Sequence, residues 1–246
     1  QVWREDGFHR FQLLELTCPD PPGGKGAVLV PLGHTEQHGF HLPLSSDTTI
    51  VAGLCREVIA RLEPADLAGA LPAWPYGVST HRRQFPGTLS LDPRVFEDLM
   101  VELAGQLLSL TGGPIYLLNG HGGNHSFLVN VCKFAGERFP QGLTATSFLH
   151  TSSGAALVDL LRTRDSSLMG HACELETSLM LHLLPEQVQM RWALPEVDFL
   201  SSSNYTMDWV ESGALVMNPP WSDDTRSGTY GDPSTASAEK GQRWLG

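Results

Sequence analysis

Two short apolar runs in this chain are each followed by a turn rich in glycine and histidine and then by a helical pattern. Residues 27–32 lead into the turn at residues 33–39, and residues 114–118 lead into the turn at residues 119–125. Alternating strands and helices fold as a mainly parallel sheet sandwiched between helical layers. We therefore predict an α/β fold in which both turns lie at the carboxyl edge of the sheet, where open α/β sheets bind their ligands.

The remaining periodicity continues this alternation. Apolar runs predict strands, and amphipathic stretches predict helices. The predicted strands are residues 27–33, 69–75, 114–119 and 142–150. Four helices are predicted: the first ends at Leu62, the second spans residues 93–110, the third ends at Phe139 and the fourth spans residues 155–162. Residues 194–227 are less regular, and Trp209 and Trp221 within them are candidates for a pocket wall, although burial in a core is the commoner role of tryptophan.

The composition is that of a globular chain with one sizeable core. The chain has 246 residues, 41% hydrophobic and 17% charged, and we expect one domain spanning residues 1–246. Sixteen basic against twenty-seven acidic residues give a net charge of -11 without a block of Lys or Arg, so neither nucleic acid nor an anionic membrane is an expected partner. Four scattered cysteines and the absence of a transmembrane-length apolar run favour a cytoplasmic protein.

The first turn carries side chains of the kinds that bind metal ions. In an extended segment, residues two apart point to the same side, so Glu36 and His38 reach into one cavity while Gln37 faces away. Asp47 follows His38 by nine residues and stands just before the helical pattern that starts at Thr48. Asp is also a favoured N-cap residue, so Asp47 alone is equally consistent with a structural role at the helix start.

The second turn places His121 next to glycines, which let the backbone turn sharply and approach a bound ion or substrate. His121 is therefore predicted as a third side chain of the same site. A glycine-rich turn between a strand and a helix also holds pyrophosphate in dinucleotide folds. Here that interpretation is weak, because residues 120–125 lack the third glycine and no acidic residue follows near the end of the next predicted strand.

A third motif, residues 170–178, opens another helical pattern with one histidine and two carboxylates. His171 and Glu174 are three residues apart and share a helix face, whereas Glu176 lies about 200° around the helix from Glu174 at about 100° per residue. Both glutamates cannot serve one site equally, and the spacing does not choose between them. The helix dipole also favours carboxylates at a helix start, so a structural role stays open for both.

Together with residues 85–88, these motifs resemble the creatininase (creatinine amidohydrolase) family of metal-dependent amidohydrolases. Residues 33–39 with Asp47 resemble its Gly-x-x-Glu-Gln-His-Gly run that ends in an Asp, and residues 119–124 resemble Asn-Gly-His-Gly-Gly-Asn. Residues 171–178 resemble His-Ala-x-x-x-Glu-Thr-Ser, and the four motifs occur in the family order.

The resemblance implies a two-metal site in which an aspartate bridges the ions. The implied ligands of the first ion are Glu36, Asp47 and His121, and those of the second are His38, Asp47 and a further glutamate. In creatinine-hydrolysing members that glutamate lies two residues after the motif histidine, where this chain has Gly123. The chain is therefore similar to the Gly-Gly branch of the family, with its deformylase and mycofactocin-type peptidase members, and Glu176 is the expected replacement ligand.

This ligand chemistry implies a mechanism. Carboxylate and imidazole ligands suit Zn²⁺, Mn²⁺ or Fe²⁺ better than Ca²⁺, and Zn²⁺ is the first expectation. Two such ions roughly 3.5 to 4 Å apart lower the pKa of a bridging water towards about 7, which gives a hydroxide that attacks an amide carbonyl. His171 or Glu174 then protonates the leaving nitrogen, and we favour His171. The residues expected to bind the substrate are His81, Gly122, Gly123 and Asn124.

The predicted function is therefore metal-dependent hydrolysis of a C–N amide bond in a cyclic amide, a formamide or a short peptide. The alternative is a metal-binding but catalytically idle subunit, which the presence of His171 and both glutamates disfavours. The resemblance further implies a homo-oligomer, a hexamer in similar family members. His34, Phe40 and residues 80–83 depart from the family pattern around the pocket, so the sequence does not specify the substrate.

Overall fold

Parallel strands form the sheet around which the chain is built. The computed structural model describes residues 26–148, 155–163, 169–206, 214–215 and 217–246. Within these ranges the strands are β1 (Ala27–Leu32), β2 (Leu67–Ala70), β3 (Ile115–Asn119) and β4 (Thr144–Phe148), and all their pairings are parallel. The predicted α/β fold is confirmed.

The strand order is β2-β1-β3-β4, so the two strands that carry the metal-type turns are neighbours. β1 and β3 pair in register from Val28 opposite Ile115 to Leu32 opposite Asn119. The strand order reverses at this pair, and open α/β sheets bind ligands in the crevice at such a reversal. The turns that follow β1 and β3 therefore start side by side.

The described ranges contain six α-helices. Asp92 caps α2 (Pro93–Thr111) by accepting hydrogen bonds from the backbone N–H groups of Arg94 and Val95, and Pro93 occupies the first position, where no N–H is needed. Gly112 ends α2 in the left-handed conformation, at φ 68°. None of the six is long and apolar enough to cross a membrane. The helices are α1 (Ser46–Arg61), α2 (Pro93–Thr111), α3 (His125–Arg138), α4 (Ala155–Leu161), α5 (Glu174–Leu183) and α6 (Ala238–Leu245).

The two faces of the sheet pack against different helices, because side chains alternate along a strand. Val28, Val30 and Leu32 of β1 share one cluster with buried side chains of α2 and α3. Leu29 belongs to a separate cluster with Val51 of α1. Since helices cover both faces, the polar turns occupy the carboxyl edge of the sheet.

The second predicted strand ends at Ala70, earlier than the sequence indicated. Pro72 and Pro75 lack the N–H group that strand pairing needs, so continuous pairing stops there, although Trp74 still forms one parallel bridge with Leu32. The predicted helix ends agree with those of α1 to α4 to within one residue. Residues 149–150 of the fourth predicted strand and Trp209 lie outside the described residues.

A buried ion pair joins α5 to the C-terminal helix α6. Glu174, the first residue of α5, is fully buried and pairs with Lys240 of α6. Thr163 donates two hydrogen bonds to the same carboxylate, from its backbone N–H at 3.0 Å and from its hydroxyl at 2.8 Å. Because a buried charge is costly without partners, these contacts bind Glu174 into the framework of the protein.

We expect Lys240→Met to destabilise the protein by about 3 kcal/mol, since removing one partner leaves the other charge buried and unpaired. Urea denaturation measures this change in the free energy of unfolding. Glu239→Gln, at an exposed position on the same helix, is the matched control and should change that free energy by less than about 0.5 kcal/mol. Equal stability of the two variants would contradict the role assigned to the ion pair.

Candidate metal centre

Glu36 lies beyond the end of β1 and is held through one of its carboxylate oxygens. Its Oε2 accepts a hydrogen bond from the Ser79 hydroxyl at 2.5 Å and lies 3.6 Å from Nε of Arg82. Its Oε1 has no hydrogen-bond donor among the described residues and faces two imidazoles, with Nδ1 of His121 at 3.4 Å and Nδ1 of His171 at 3.5 Å. One oxygen thus fixes the side chain, and the other is available to a ligand.

Asp47 lies in the first turn of α1 and contacts two histidines. Its Oδ1 is 3.0 Å from Nε2 of His38, and its Oδ2 is 2.9 Å from Nδ1 of His121. The N-cap residue of α1 is Ser45, so the alternative role of Asp47 as an N-cap does not apply. Burial alone would raise the pKa of Asp47, but the charges of His38 and His121 hold it well below its usual value.

Three imidazoles are oriented by hydrogen bonds to backbone carbonyl oxygens. A neutral imidazole that donates from one nitrogen presents a lone pair on the other. In each ring this second nitrogen faces a carboxylate, which has no proton to give. A proton or a metal ion between the two groups resolves this contact, and proteins orient metal-binding histidines by such backbone hydrogen bonds. The pairs are His38 Nδ1 to Glu36 O, His121 Nε2 to Val78 O and His171 Nε2 to Gln37 O, each at 3.0 Å.

The electrostatic surroundings shift the pKa values of these rings. Burial lowers the pKa of His38, but the charge and hydrogen bond of Asp47 outweigh it and raise the value to about 9. Burial is likewise outweighed at His121, whose pKa is raised by two nearby carboxylates. The pKa of His171 falls well below its usual value because of burial and the nearby Arg82 guanidinium. The carboxylates therefore stabilise positive charge placed among the rings of His38 and His121.

The set of donor atoms fits divalent cations. Glu36 Oε1 and Asp47 Oδ2 are buried without a hydrogen bond, an unfavourable environment for a carboxylate unless an ion completes it. Imidazole and carboxylate together suit ions such as Zn²⁺, Mn²⁺ and Fe²⁺. Within the described residues, three groups bring one such atom per residue within 4.8 Å of the others: His34, Glu36 and His121; Glu36, His38 and His171; and His38, Asp47 and Glu176.

The structure separates the two glutamates between which the spacing could not choose. Glu176 joins His38 and Asp47 in one of the three groups. Glu174, proposed from the sequence as an acid-base residue, forms the ion pair with Lys240 instead, and the structure does not bring it to the cluster. The two carboxylates diverge because residues two apart on a helix differ by about 200° in direction.

A sharp backbone turn lets His171 and Glu176 face the same centre. Ala172 has φ 47° and is the one described non-glycine residue with a positive φ. Such a conformation is unfavourable for alanine and persists where surrounding contacts enforce it. The Ala172 N–H donates to the Glu176 carboxylate, and His171 exchanges two backbone hydrogen bonds with Tyr230. These contacts fix the turn.

Two of the predicted substrate residues have different surroundings. The ring of His81 lies next to the centre, 6.4 Å from that of His121 and 4.3 Å from that of Trp221. Asn124 is fully buried, and its Oδ1 accepts a hydrogen bond from the Val78 N–H at 2.9 Å. His81 is therefore placed to flank a bound molecule, whereas Asn124 fastens one turn to another.

Gly123 stands where a side chain does not fit. A Cβ atom there would lie 2.2 Å from the Val78 carbonyl oxygen and 2.6 Å from Nε2 of His121. These two atoms form the hydrogen bond that orients His121. Gly122 opens the short 3-10 helix Gly122–Asn124 that follows. The Gly-Gly pair therefore lets the backbone pass close to the imidazole without disturbing it.

Sequence reasoning missed Arg82, the largest fully buried side chain among the described residues. Its guanidinium donates to the backbone carbonyl oxygens of Gln37 and Gly228 and lies 4.8 Å from the ring of Trp221. The adjacent Arg83 is exposed, and nothing in the Arg-Arg pair shows which of the two is buried. The one available signal is the position of the pair in a segment that departs from the family pattern.

The less regular segment, residues 194–227, supplies side chains that line the metal centre. Trp221 is buried, with its ring 5.3 Å from that of His171 and 4.4 Å from that of Tyr230. A pocket of about 500 Å³ borders the Gln37 segment. The side chains that line it include Gln37, Phe40, Phe85 and Arg226.

Comparison with known proteins agrees with this geometry. The creatininase family model, described as creatinine amidohydrolase, matches residues 20–246. The chain belongs to the creatininase family. It is an amidohydrolase of that family, and the resemblance seen in the four motifs is confirmed.

The chain is similar over most of its length to two kinds of protein, peptidases and a creatinine amidohydrolase. The mycofactocin precursor peptide peptidase of Mycolicibacterium smegmatis is 34% identical over 233 residues, which is 88% of this chain and 78% of that protein. The peptidase of the same name from Mycobacterium tuberculosis is 31% identical over 239 residues, 94% of this chain and 85% of that protein. The creatinine amidohydrolase of Pseudomonas putida is 24% identical over 89% of this chain and 84% of that protein.

Solved structures share the fold. A putative creatinine amidohydrolase from Bacteroides fragilis superimposes with a TM-score of 0.74 at 21% identity, over 96% of this chain and 91% of that chain. A structure described as creatininase Mn has a TM-score of 0.68 at 23% identity, over 95% of this chain and 92% of that chain. A mutant creatininase of Zn-Zn type has a TM-score of 0.65 at 23% identity, over 90% of this chain and 85% of that chain.

We expect Gly123→Ala to weaken metal binding at least about ten-fold, because the added Cβ displaces either the Val78 backbone or the His121 ring. Calorimetric titration with Zn²⁺ measures the affinity. Gly136→Ala on α3 is the matched control: a Cβ there meets nothing within 4 Å, and the change should keep the affinity. Unaltered affinity in Gly123→Ala would contradict the close fit around His121.

Proposed function

We propose that this protein is a binuclear metal-dependent amidohydrolase that cleaves a C–N amide bond. The supporting observation is the buried centre in which imidazole nitrogens face carboxylate oxygens across 2.9 to 3.5 Å while their other nitrogens bond to backbone carbonyl oxygens. An imidazole lone pair that faces a carboxylate oxygen in a buried site is unfavourable unless a proton or a metal ion lies between them. Membership of the creatininase family supports hydrolysis as the reaction.

Two groups of side chains joined by one aspartate support two ions. The proposed ligands of the first ion are Glu36, Asp47 and His121, and those of the second are His38, Asp47 and Glu176. Asp47 directs Oδ2 towards His121 and Oδ1 towards His38, which suits a bridging carboxylate. Bound ions of this kind supply Lewis acidity and a water of lowered pKa. Zn²⁺ is the first candidate, with Mn²⁺ and Fe²⁺ next, and the creatininase structures named for Zn and Mn support that order of testing.

His171 is the proposed acid-base residue. Its Nε2 donates to the Gln37 carbonyl, so Nδ1 is the nitrogen open to the centre. Its ring lies 4.1 Å from that of His38, beside the second group of ligands. From this position Nδ1 takes a proton from the attacking water and returns it to the leaving nitrogen. Glu174 is not part of this proposal, because its carboxylate is held in the ion pair described above.

We propose a short peptide as the substrate, with the packed rings of His81 and Trp221 on one side of the scissile amide. The relatives named as mycofactocin precursor peptide peptidases support this choice. A pocket of about 500 Å³, lined in part by Gln37 between the proposed ligands Glu36 and His38, has room for side chains of such a peptide. Creatinine is disfavoured, since Gly123 occupies the place of the glutamate of the creatinine-hydrolysing members and the backbone leaves no space for a side chain there.

The proposal includes the assembly implied by the resemblance, a cytoplasmic homo-oligomer of hexameric size built from single-domain subunits. Analytical ultracentrifugation of the protein measures this directly. A monomer would remove the assembly from the proposal without affecting the metal centre.

We expect Glu176→Gln to retain the first ion and lose the second, because the change removes charge from one of the two ligand groups only. Elemental analysis measures the ions per chain, expected to fall from about two to about one. Glu186→Gln, at an exposed position beyond α5, is the matched control and should keep both. Retention of two ions by Glu176→Gln, or loss of both, would remove Glu176 from its assigned place.

We expect chelation to abolish amide hydrolysis and Zn²⁺ or Mn²⁺ to restore it, in a panel containing a cyclic amide, a formamide and short peptides. His171→Gln should lower kcat by roughly 10²- to 10⁴-fold while leaving the metal content at the parent value. Product release followed by mass spectrometry reports both effects. Full activity after chelation would contradict the metal-dependent mechanism, and parental kcat in His171→Gln would contradict the acid-base role.

A further inference from the structure

His34 is a buried histidine whose ring nitrogens are both left without hydrogen bonds. It follows Gly33 at the end of β1, is 0% exposed, and stacks on the ring of His121 with centroids 4.3 Å apart. Neither Nδ1 nor Nε2 has a hydrogen-bond partner among the described residues. Its backbone carbonyl oxygen accepts a hydrogen bond from the Thr48 hydroxyl at 3.0 Å. A neutral imidazole has one N–H and one lone pair, and leaving both buried and unpaired carries a free-energy penalty.

The atoms around the His34 ring indicate that a metal ion would remove this penalty. One ring nitrogen of His34 lies within 4.8 Å of a carboxylate oxygen of Glu36 and of a ring nitrogen of His121. These two residues belong to the proposed ligand set of the first ion.

On the basis of the proposed function, we propose that His34 is an additional protein ligand of the ion held by Glu36, Asp47 and His121. The geometry brings its nitrogen within 4.8 Å of ligand atoms from two of the three other residues. His34 is not among the residues that the family resemblance supplies, since the family pattern has a small residue at this position. The first ion then has four protein ligands and the second has three, so the first binds more tightly and the second keeps an open position for substrate.

Replacement of the ring without loss of its shape tests this inference. His34→Phe keeps an aromatic ring against His121 and removes both nitrogens, and His34→Ser restores the small residue of the family pattern. Competition with a chromophoric chelator measures the Kd of the tighter Zn²⁺ ion, and the visible spectrum of the Co²⁺-loaded protein reports its ligands without requiring activity. We expect the Kd to rise at least about ten-fold and the Co²⁺ spectrum to change in both variants, as removal of a ligand entails.

The metal-free proteins separate a ligand from a structural residue. Because His34→Phe removes an unpaired buried polar group, its metal-free Tm should equal or exceed that of the parent. His125→Phe, a half-buried histidine beside Phe148 and in none of the three donor groups, is the matched control and should keep the parental Kd and Co²⁺ spectrum. If His34→Phe does not fold, His34→Ser is judged by the same criteria.

Parental Kd and an unaltered Co²⁺ spectrum in the His34 variants would overturn the inference. It would equally be overturned if weaker binding came with a metal-free Tm that falls in both variants, because the ring would then be a packing element. Failure of the proposed function is distinguishable from either result: in that case the unmodified protein itself binds no Zn²⁺ or Co²⁺ in the competition assay.

Discussion

The structure depends on burying two carboxylates at the carboxyl edge of a parallel sheet. Glu36 is 0% exposed and Asp47 is 2% exposed, and a carboxylate in such a place is strongly disfavoured unless positive charge or hydrogen-bond donors surround it. Ser79 and Arg82 satisfy one oxygen of Glu36. The remaining oxygens face imidazoles whose other nitrogens bond to backbone carbonyl oxygens, so positive charge in the centre, carried by a proton or a metal ion, stabilises the framework. The pKa of His38 is raised for the same reason, because nearby carboxylates stabilise positive charge on its ring.

Segments from distant parts of the chain supply the side chains that surround these carboxylates. The turn after β1 supplies Glu36, and the turn after β3 supplies His121, because the two strands are neighbours in the sheet. The segment before α5 adds His171 through backbone hydrogen bonds to Tyr230 near the C-terminus. Arg82 donates to the backbone carbonyl oxygens of Gln37 and Gly228 and so ties the first turn to the C-terminal segment. The centre is therefore a product of the whole fold, and a change in any of these contacts alters the position of a ligand.

The sequence predicted that residue types that bind metals follow two strands of a mainly parallel sheet, but alternation did not show that these two strands are neighbours. It could not choose between Glu174 and Glu176, since helical spacing gives the angle between them but not the direction in which the helix faces the sheet. Packing decides that direction: Lys240, sixty-six positions later in the chain, takes Glu174 into an ion pair. Arg82 was missed for the same reason, because its burial depends on carbonyl oxygens that approach it only in the folded chain. His34 was visible as a departure from the family pattern, but its lack of partners is a property of the three-dimensional structure.

The most direct test of the two-ion centre is anomalous diffraction from crystals of the Zn²⁺-loaded protein at the zinc absorption edge. The account predicts two peaks roughly 3.5 to 4 Å apart, with Asp47 between them, one peak next to Glu36 and His121 and the other next to His38 and Glu176. A single peak, or two peaks that do not share Asp47, would contradict it.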